Sequence, residues 1–207
     1  MKKFADKYNV SHETIDQLNT YHSLLEEWQE KINLVSKASL PDAKIRHFED
    51  SVQLFKYIPK TAKTLIDFGS GAGFPALVLA IIAKNETPYL KISLVESIGK
   101  KTLFLKEVAK ATNTDVQIIN DRIENIKTQK FDVITSRAMT SLNDLLAYAY
   151  RFCSKNTVCI FPKGKKYAEE LAVAHKKWRF RCAIEASNIS DEGKILIITN
   201  ISKKGEK

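Results

Sequence analysis

Glycine and proline are scarce in this chain: its 207 residues include seven glycines and five prolines, while 44% are hydrophobic. That scarcity excludes collagen-like and low-complexity sequences, and the apolar content excludes a disordered one. Cysteine is scarcer still. Cys153, Cys159 and Cys182 are odd in number and form no Cys-x-x-Cys pair, so reduced thiols packed as small core hydrophobes are expected, in a reducing compartment. The longest uninterrupted apolar run, Ala76 to Ala83, spans eight residues, whereas a membrane-spanning helix needs roughly 20. Met1-Lys2-Lys3 opens as a signal peptide would, but Asp6, Lys7 and Asn9 stand where its apolar region would lie, so a cytoplasmic protein is expected. His12, His22, His47 and His175 lack metal-ligand spacing, and no metal is expected. No Gly-x-x-x-x-Gly-Lys-Ser/Thr or Gly-x-Ser-x-Gly segment is present, which removes the usual P-loop and hydrolase signatures.

What is abundant is positive charge. The net charge of +9 arises after Pro59: residues 1–58 hold eight basic and nine acidic side chains, and residues 59–207 hold 25 and 15. The densest block, Arg151 to Arg181, sets nine basic residues, including Lys163, Lys165 and Lys166, against Glu169 and Glu170. A surface of that kind suits a polyanion, whose neutralised phosphates release counterions. The competing explanation is that the charge serves solubility alone.

Residues 1–58 read as an N-terminal helical extension. Ile15, Leu18, Tyr21, Leu25, Trp28 and Ile32 recur every three or four residues, predicting one amphipathic helix from Ser11 to about Ser36 with Ser11 as its N-cap. A shorter helix is expected over Asp42 to Tyr57. From residue 59 to 207 short β-branched runs alternate with helical patterns, which predicts an α/β domain with a mostly parallel sheet covered on both faces. The last two runs, Arg179 to Ala186 and Lys194 to Thr199, are separated by too few residues for a crossover helix. The final strand is therefore antiparallel.

Chemistry concentrates where strands end. Asp67-Phe68-Gly69-Ser70-Gly71-Ala72-Gly73-Phe74-Pro75 follows the first strand and precedes a helix, so Gly69, Gly71 and Gly73 allow a sharp turn and a close approach of backbone N–H groups to a ligand. Dinucleotide sites place the third glycine one residue later, so this spacing favours S-adenosylmethionine over NAD. Glu96 closes the second strand, where an acid can accept hydrogen bonds from both ribose hydroxyls. Asp121-Arg122-Ile123-Glu124 follows the third strand at the level of an adenine ring, with Ile123 as an apolar face and a polar neighbour for the exocyclic amine.

The fourth strand ends in Ser136-Arg137-Ala138. Enzymes that methylate exocyclic amines commonly carry Asn/Asp-Pro-Pro-aromatic there, and cytosine C5 enzymes need a loop cysteine. Neither is found, since Cys153 is placed in a helix and Cys159 in a strand. A nucleophile with its own lone pair, such as guanine N7, needs only alignment and electrostatics. Arg137 can anchor a carboxylate or phosphate in an orienting role, or form a structural ion pair with an acid such as Asp67. Arg46-His47-Phe48-Glu49-Asp50-Ser51 can contact RNA through Arg46 and His47, or pack the extension onto the sheet.

Together with Asn33-Leu34-Val35-Ser36, Ser97, Lys100-Lys101 and Lys163-Gly164, these segments resemble the bacterial small-subunit ribosomal RNA guanine-N7 methyltransferases, the group once called glucose-inhibited division protein B, from about Lys31 to Thr199. The resemblance implies a Rossmann-like methyltransferase domain behind a helical region, S-adenosylmethionine as methyl donor and N7 of one guanine in 16S rRNA, free or in the small ribosomal subunit, as acceptor. By motif, Gly69, Phe74, Ile123, Glu124 and Arg137 fall where that family binds the cofactor, with Glu96 at the ribose and Lys163, Lys165 and Lys166 toward RNA. Ala76 and Val78 stand where members often have Gly and Pro, and Pro162 stands where an aliphatic residue is usual. A monomer is expected. Two other readings stay open at this point: an RNA-binding or assembly module with the same fold and no chemistry, and a small-molecule methyltransferase.

Overall fold

The computed structural model describes Tyr8 and residues 10–137 and 139–205; the Met1-Lys2-Lys3 start with Asp6, Lys7 and Asn9, and Ala138 of the Ser136-Arg137-Ala138 segment, lie outside the described residues. Helix α1 runs His12–Gln29, capped by the Ser11 hydroxyl, which accepts from the Thr14 N–H at 3.1 Å. It stops short of Ser36 because the Gln29 side chain competes for the backbone that follows. Its Oε1 accepts from the Leu34 and Val35 N–H groups, both at 3.0 Å, and its Nε2 donates to the Val35 carbonyl at 3.1 Å. The chain therefore folds back on the helix end.

In place of the helix expected over Asp42 to Tyr57 stand three short turns: a π-helix Lys44–Glu49, an α-turn Asp50–Val52 and a 3₁₀ turn Phe55–Tyr57. The widened π-turn puts Phe48 fully into the core and leaves Arg46 exposed, with His47 half-buried between them.

The sheet has seven strands: β1 Thr64–Phe68, β2 Lys91–Val95, β3 Gln117–Ile119, β4 Phe131–Thr135, β5 Cys153–Lys163, β6 Trp178–Ala186 and β7 Lys194–Lys203, in the order β3-β2-β1-β4-β5-β7-β6. The first five are parallel, and β7 runs antiparallel to both β5 and β6. Helices α2 Ala76–Glu86 and α3 Gly99–Ala111 lie with α1 on one face, and α4 Leu142–Phe152 and α5 Tyr167–Lys177 lie on the other. Strand β1 shows why: Leu65 enters the core beneath α1 and α2, while Ile66 and Phe68 enter the core beneath α4. Leu18, Tyr21 and Leu25 of α1 share one apolar core with Leu77 and Ile81 of α2 and Phe104 and Leu105 of α3, so the extension packs directly onto the sheet layer.

Two expectations are corrected. Cys153 ends α4 and opens β5, so it is not inside a helix. The Arg151 to Arg181 block is not one surface, because β5 and α5, whose one buried residue is Ala174, carry its middle and its ends to opposite edges of the sheet. Lys163, Lys165 and Lys166 lie at the C-terminal end of β5, the same edge as the glycine loop, whereas Lys176, Lys177 and Arg179 lie at the opposite edge. Arg151 is structural: its guanidinium donates to the carbonyls of Ile123, Glu124 and Ile126 at 3.3, 3.1 and 3.2 Å.

Candidate active site

At the C-terminal ends of β1, β2 and β4 the chain leaves a cleft of about 820 Å³, lined by Gly69, Gly71, Phe74, Glu96, Ile123, Glu124 and Arg137, together with Arg46 and His47. Parallel sheets of this kind bind ligands at that edge, beside the switch between β1 and β4. Gly69 has φ +64°, and a Cβ there would come within 2.8 Å of the Met139 side chain, so only glycine fits. Gly73 is turned the other way, into the core against Tyr21 and Leu77, and does not line the cleft.

The loop is pinned by its neighbours. The Ser70 N–H donates to the Val95 carbonyl at 3.0 Å, and the Gly71 N–H donates to Glu96 Oε2 at 2.8 Å. Glu96 Oε1 accepts from the Ile98 N–H at 2.8 Å, so this buried carboxylate bridges the ends of β1 and β2. Glu124 is exposed and accepts from the Tyr148 hydroxyl at 2.7 Å; that bond, with backbone donation behind it, holds its carboxyl below the usual range. Ile123 above it is buried and offers an apolar face.

Asp67 lies under the loop and is wholly buried. Thr135 donates to its Oδ1 at 2.7 Å, while Oδ2 has no partner among the described residues. Burial pushes its carboxyl up to about 7, against the lowering effect of the Ser70 and Thr135 hydroxyls and the Arg137 charge.

Arg137 does not pair with Asp67. Its guanidinium donates to the Asp50 carboxylate at 3.2 Å, to the Arg46 carbonyl at 3.3 Å and to His47 Nδ1 at 2.9 Å, and it lies 5.1 Å from the Phe74 ring centre. Because Arg137 can only donate, His47 must be the Nε2–H tautomer, donating to Ser39 Oγ at 3.0 Å. Burial, then the charges of Arg137 and Arg46, lowers the imidazole to about 4, so it is neutral. The Arg46 to Ser51 segment thus packs the extension onto the sheet through Phe48, His47 and Asp50, and Arg46 remains exposed at the rim.

A second cleft of about 590 Å³ adjoins the first and shares Arg46, Arg137 and Met139 with it; Asp50, Lys163, Glu170 and Lys194 also line it. Lys163 is drawn in rather than projecting to solvent: its side chain is 7% exposed, and its ammonium is bonded to Glu170 at 2.8 Å and to the Thr140 carbonyl at 3.0 Å. Lys165 and Lys166 are exposed and line neither cleft. Met139 and Tyr148 escape a reading of the sequence, since a methionine in a loop and a tyrosine in an amphipathic helix carry no chemical signature. Among the described residues no group of three or more His, Cys, Asp or Glu side chains is arranged to hold a metal ion, and no helix is long and apolar enough to cross a membrane.

The strand order, the glycine loop after β1 and the acid after β2 define a Rossmann-like methyltransferase domain. Among solved structures, the ribosomal protein L11 methylase of Lactobacillus delbrueckii subsp. bulgaricus shares this fold with a TM-score of 0.59 at 17% identity, over 73% of this chain and 76% of that one. Residues 14–195 match the family model GidB, rRNA small subunit methyltransferase G, and the chain belongs to that family. Curated relatives named ribosomal RNA small subunit methyltransferase G are 39% identical in Rhodospirillum centenum, over 98% of this chain and 91% of that protein, and 40% identical in Paramagnetospirillum magneticum, over 98% and 96%.

Proposed function

We propose that this protein transfers a methyl group from S-adenosylmethionine to N7 of a guanine in 16S rRNA, acting as a monomer in the cytoplasm. The observation that carries the reading is the meeting of two clefts at Arg137 and Met139, one walled by the glycine loop and Glu96, the other lined by Lys163 and Lys194. The first fits the donor: the loop exposes backbone where Cβ atoms would intrude, Glu96 can turn its carboxylate to ribose hydroxyls, and Asp67 Oδ2 is a buried polar atom beneath it with no partner among the described residues. When bound, the donor supplies a methyl carbon on a sulfonium; the N7 lone pair forms the new C–N bond, the C–S bond breaks, and the positive charge passes to the guanine ring.

No proton leaves the base in that step, so the chain needs no general base. Its residues act by placement. Phe74, Ile123 and Met139 exclude water along the cleft, and Tyr148 fixes Glu124 beside the apolar face of Ile123. Three of the five Arg137 donors are held by the extension, and among the described residues two are left to orient a carboxylate, a phosphate or the guanine O6. Asp50 also offsets the Arg137 charge where the two clefts adjoin. Lys165 and Lys166, exposed after β5 on the edge that carries the clefts, hold RNA phosphates outside them. Calorimetric titration with S-adenosylhomocysteine tests the donor cleft: one-site binding is expected, weakened by Glu96→Gln, and no binding to the intact chain would overturn the reading.

A further inference from the structure

Helix α1 reaches the glycine loop through one side chain. Tyr21 is fully buried, its hydroxyl donates to the Ala72 carbonyl, and its ring stacks on Phe74 with centroids 5.3 Å apart at 12°. Phe48 meets the same ring edge-on at 4.9 Å. Burial pushes the Tyr21 hydroxyl well above the usual tyrosine range, so it stays a donor. Gly73 makes the approach possible, because a Cβ at that position would lie 2.5 Å from the Tyr21 oxygen. The Ala72-Gly73 peptide is thereby held from both sides: its carbonyl by Tyr21, and its N–H by the Ser70 carbonyl at 2.7 Å.

We propose that Tyr21 is a positioning residue for the donor cleft: it fixes the Ala72-Gly73 peptide and the Phe74 ring, so the N-terminal helix sets the shape of the loop that receives S-adenosylmethionine. The inference rests on the reading of that cleft as the donor site. A loop with three positive-φ glycines among five residues has many alternative conformations. Removing the hydroxyl leaves a buried carbonyl without its donor, and apparent affinity falls with the fraction of loops still in the receptive shape. The extension is then part of the cofactor site, although none of its α1 residues lines the cleft.

The test compares wild type, Tyr21→Phe and Leu18→Ala, the last removing buried volume from the same helix one turn before Tyr21 and taking away no hydrogen bond to the loop. Thermal unfolding, S-adenosylhomocysteine affinity, and the KM for S-adenosylmethionine and for RNA are measured on each intact chain. Tyr21→Phe is expected to weaken S-adenosylhomocysteine binding and raise the S-adenosylmethionine KM on the order of tenfold, with the RNA KM unchanged. Leu18→Ala is expected to lower the unfolding temperature and leave both cofactor constants in place. Unchanged cofactor affinity in a folded Tyr21→Phe protein overturns the inference, as does an equal loss in Leu18→Ala. Failure of wild type to bind S-adenosylhomocysteine would instead overturn the donor-site reading itself.

Discussion

Arg137 and Asp50 are 87 residues apart in sequence and 3.2 Å apart in space, and their ion pair joins the end of β4 to the helical extension. The same guanidinium meets His47 and the Arg46 carbonyl, so a group that lines both clefts is held by residues that contribute nothing to the sheet. Arg137→Ala is expected to stay folded and to lose methyl transfer by roughly 100-fold, as misplacement of reacting groups does. Arg137→Lys should rescue little, because one ammonium cannot serve Asp50, His47 and a ligand at once. Turnover measured at saturating donor checks both; unchanged turnover would refute the role.

His47 gives a pH signature. Its imidazole is held at about 4, below the ordinary 6.5, by burial and then by the Arg137 and Arg46 charges. The unfolded chain takes up this proton near 6.5 and the folded chain only near 4, so stability falls as pH drops through that window. His47→Gln, which keeps an acceptor for Arg137, should flatten that fall. An imidazole signal titrating near the ordinary histidine value in the folded protein would contradict the geometry.

Asp67 acts in the opposite sense. Its carboxyl, raised to about 7 by burial, stays protonated in the folded chain up to about pH 7, while the unfolded chain ionises near 3.8. The cost therefore accumulates as pH rises from about 4 to about 7 and stays level above it. Asp67→Asn should leave stability unchanged at about pH 4 and raise it at about pH 8, by an amount on the order of a few kcal/mol. Denaturant unfolding at the two pH values reads the difference; equal effects at both would show that the carboxyl is ionised throughout.

Gly71 and Gly73 separate binding from packing. A Cβ at Gly73 would collide with Tyr21 and Leu77, at 2.5 and 2.6 Å, and φ is +93°. Gly73→Ala is expected to cost roughly 3 kcal/mol or more. At Gly71 the nearest atom is 3.8 Å away and φ is +56°, so Gly71→Ala should cost only about 1 kcal/mol. Its main effect is on the cleft, where weaker S-adenosylhomocysteine binding is expected. Unfolding temperatures and binding constants for the pair check the contrast.

Binding of small-subunit ribosomal RNA should weaken steeply with salt, and Lys165→Ala with Lys166→Ala should reduce the slope by about one unit for each phosphate no longer neutralised. Arg151→Ala should lower stability through the three carbonyls it releases and leave the slope alone. A binding constant indifferent to salt would remove phosphates from the interface.

Much of the fold and the cleft was legible in the chain. The glycine spacing, Glu96 and Arg137 stand at strand ends, and strand ends converge in a parallel sheet, so reading the strands in order was enough to gather Gly69, Glu96, Ile123 and Arg137 into one cleft. Helix α1 and its Ser11 cap were readable from periodicity, but its end was not, because Gln29 halts it by a side-chain bond that no composition rule predicts. The partner of Arg137 was missed for a related reason: Asp50 and His47 reach it through a π-turn, and periodic patterns describe only regular helices. Charge counted along the chain treated Arg151 to Arg181 as one surface. Parallel topology sends its middle and its ends to opposite edges, and of the block only Lys163, Lys165 and Lys166 share the edge of the clefts.

Methyl transfer to guanine N7 is tested most directly on the RNA itself. Small ribosomal subunits and their 16S rRNA, prepared from cells lacking this enzyme, are incubated with the protein and methyl-labelled S-adenosylmethionine, and the modified nucleoside is identified by mass. Label is expected as 7-methylguanosine at a single position, appearing roughly 100-fold more slowly with Arg137→Ala. Label on another atom, or none on any form of the RNA despite cofactor binding, would contradict the proposed reaction.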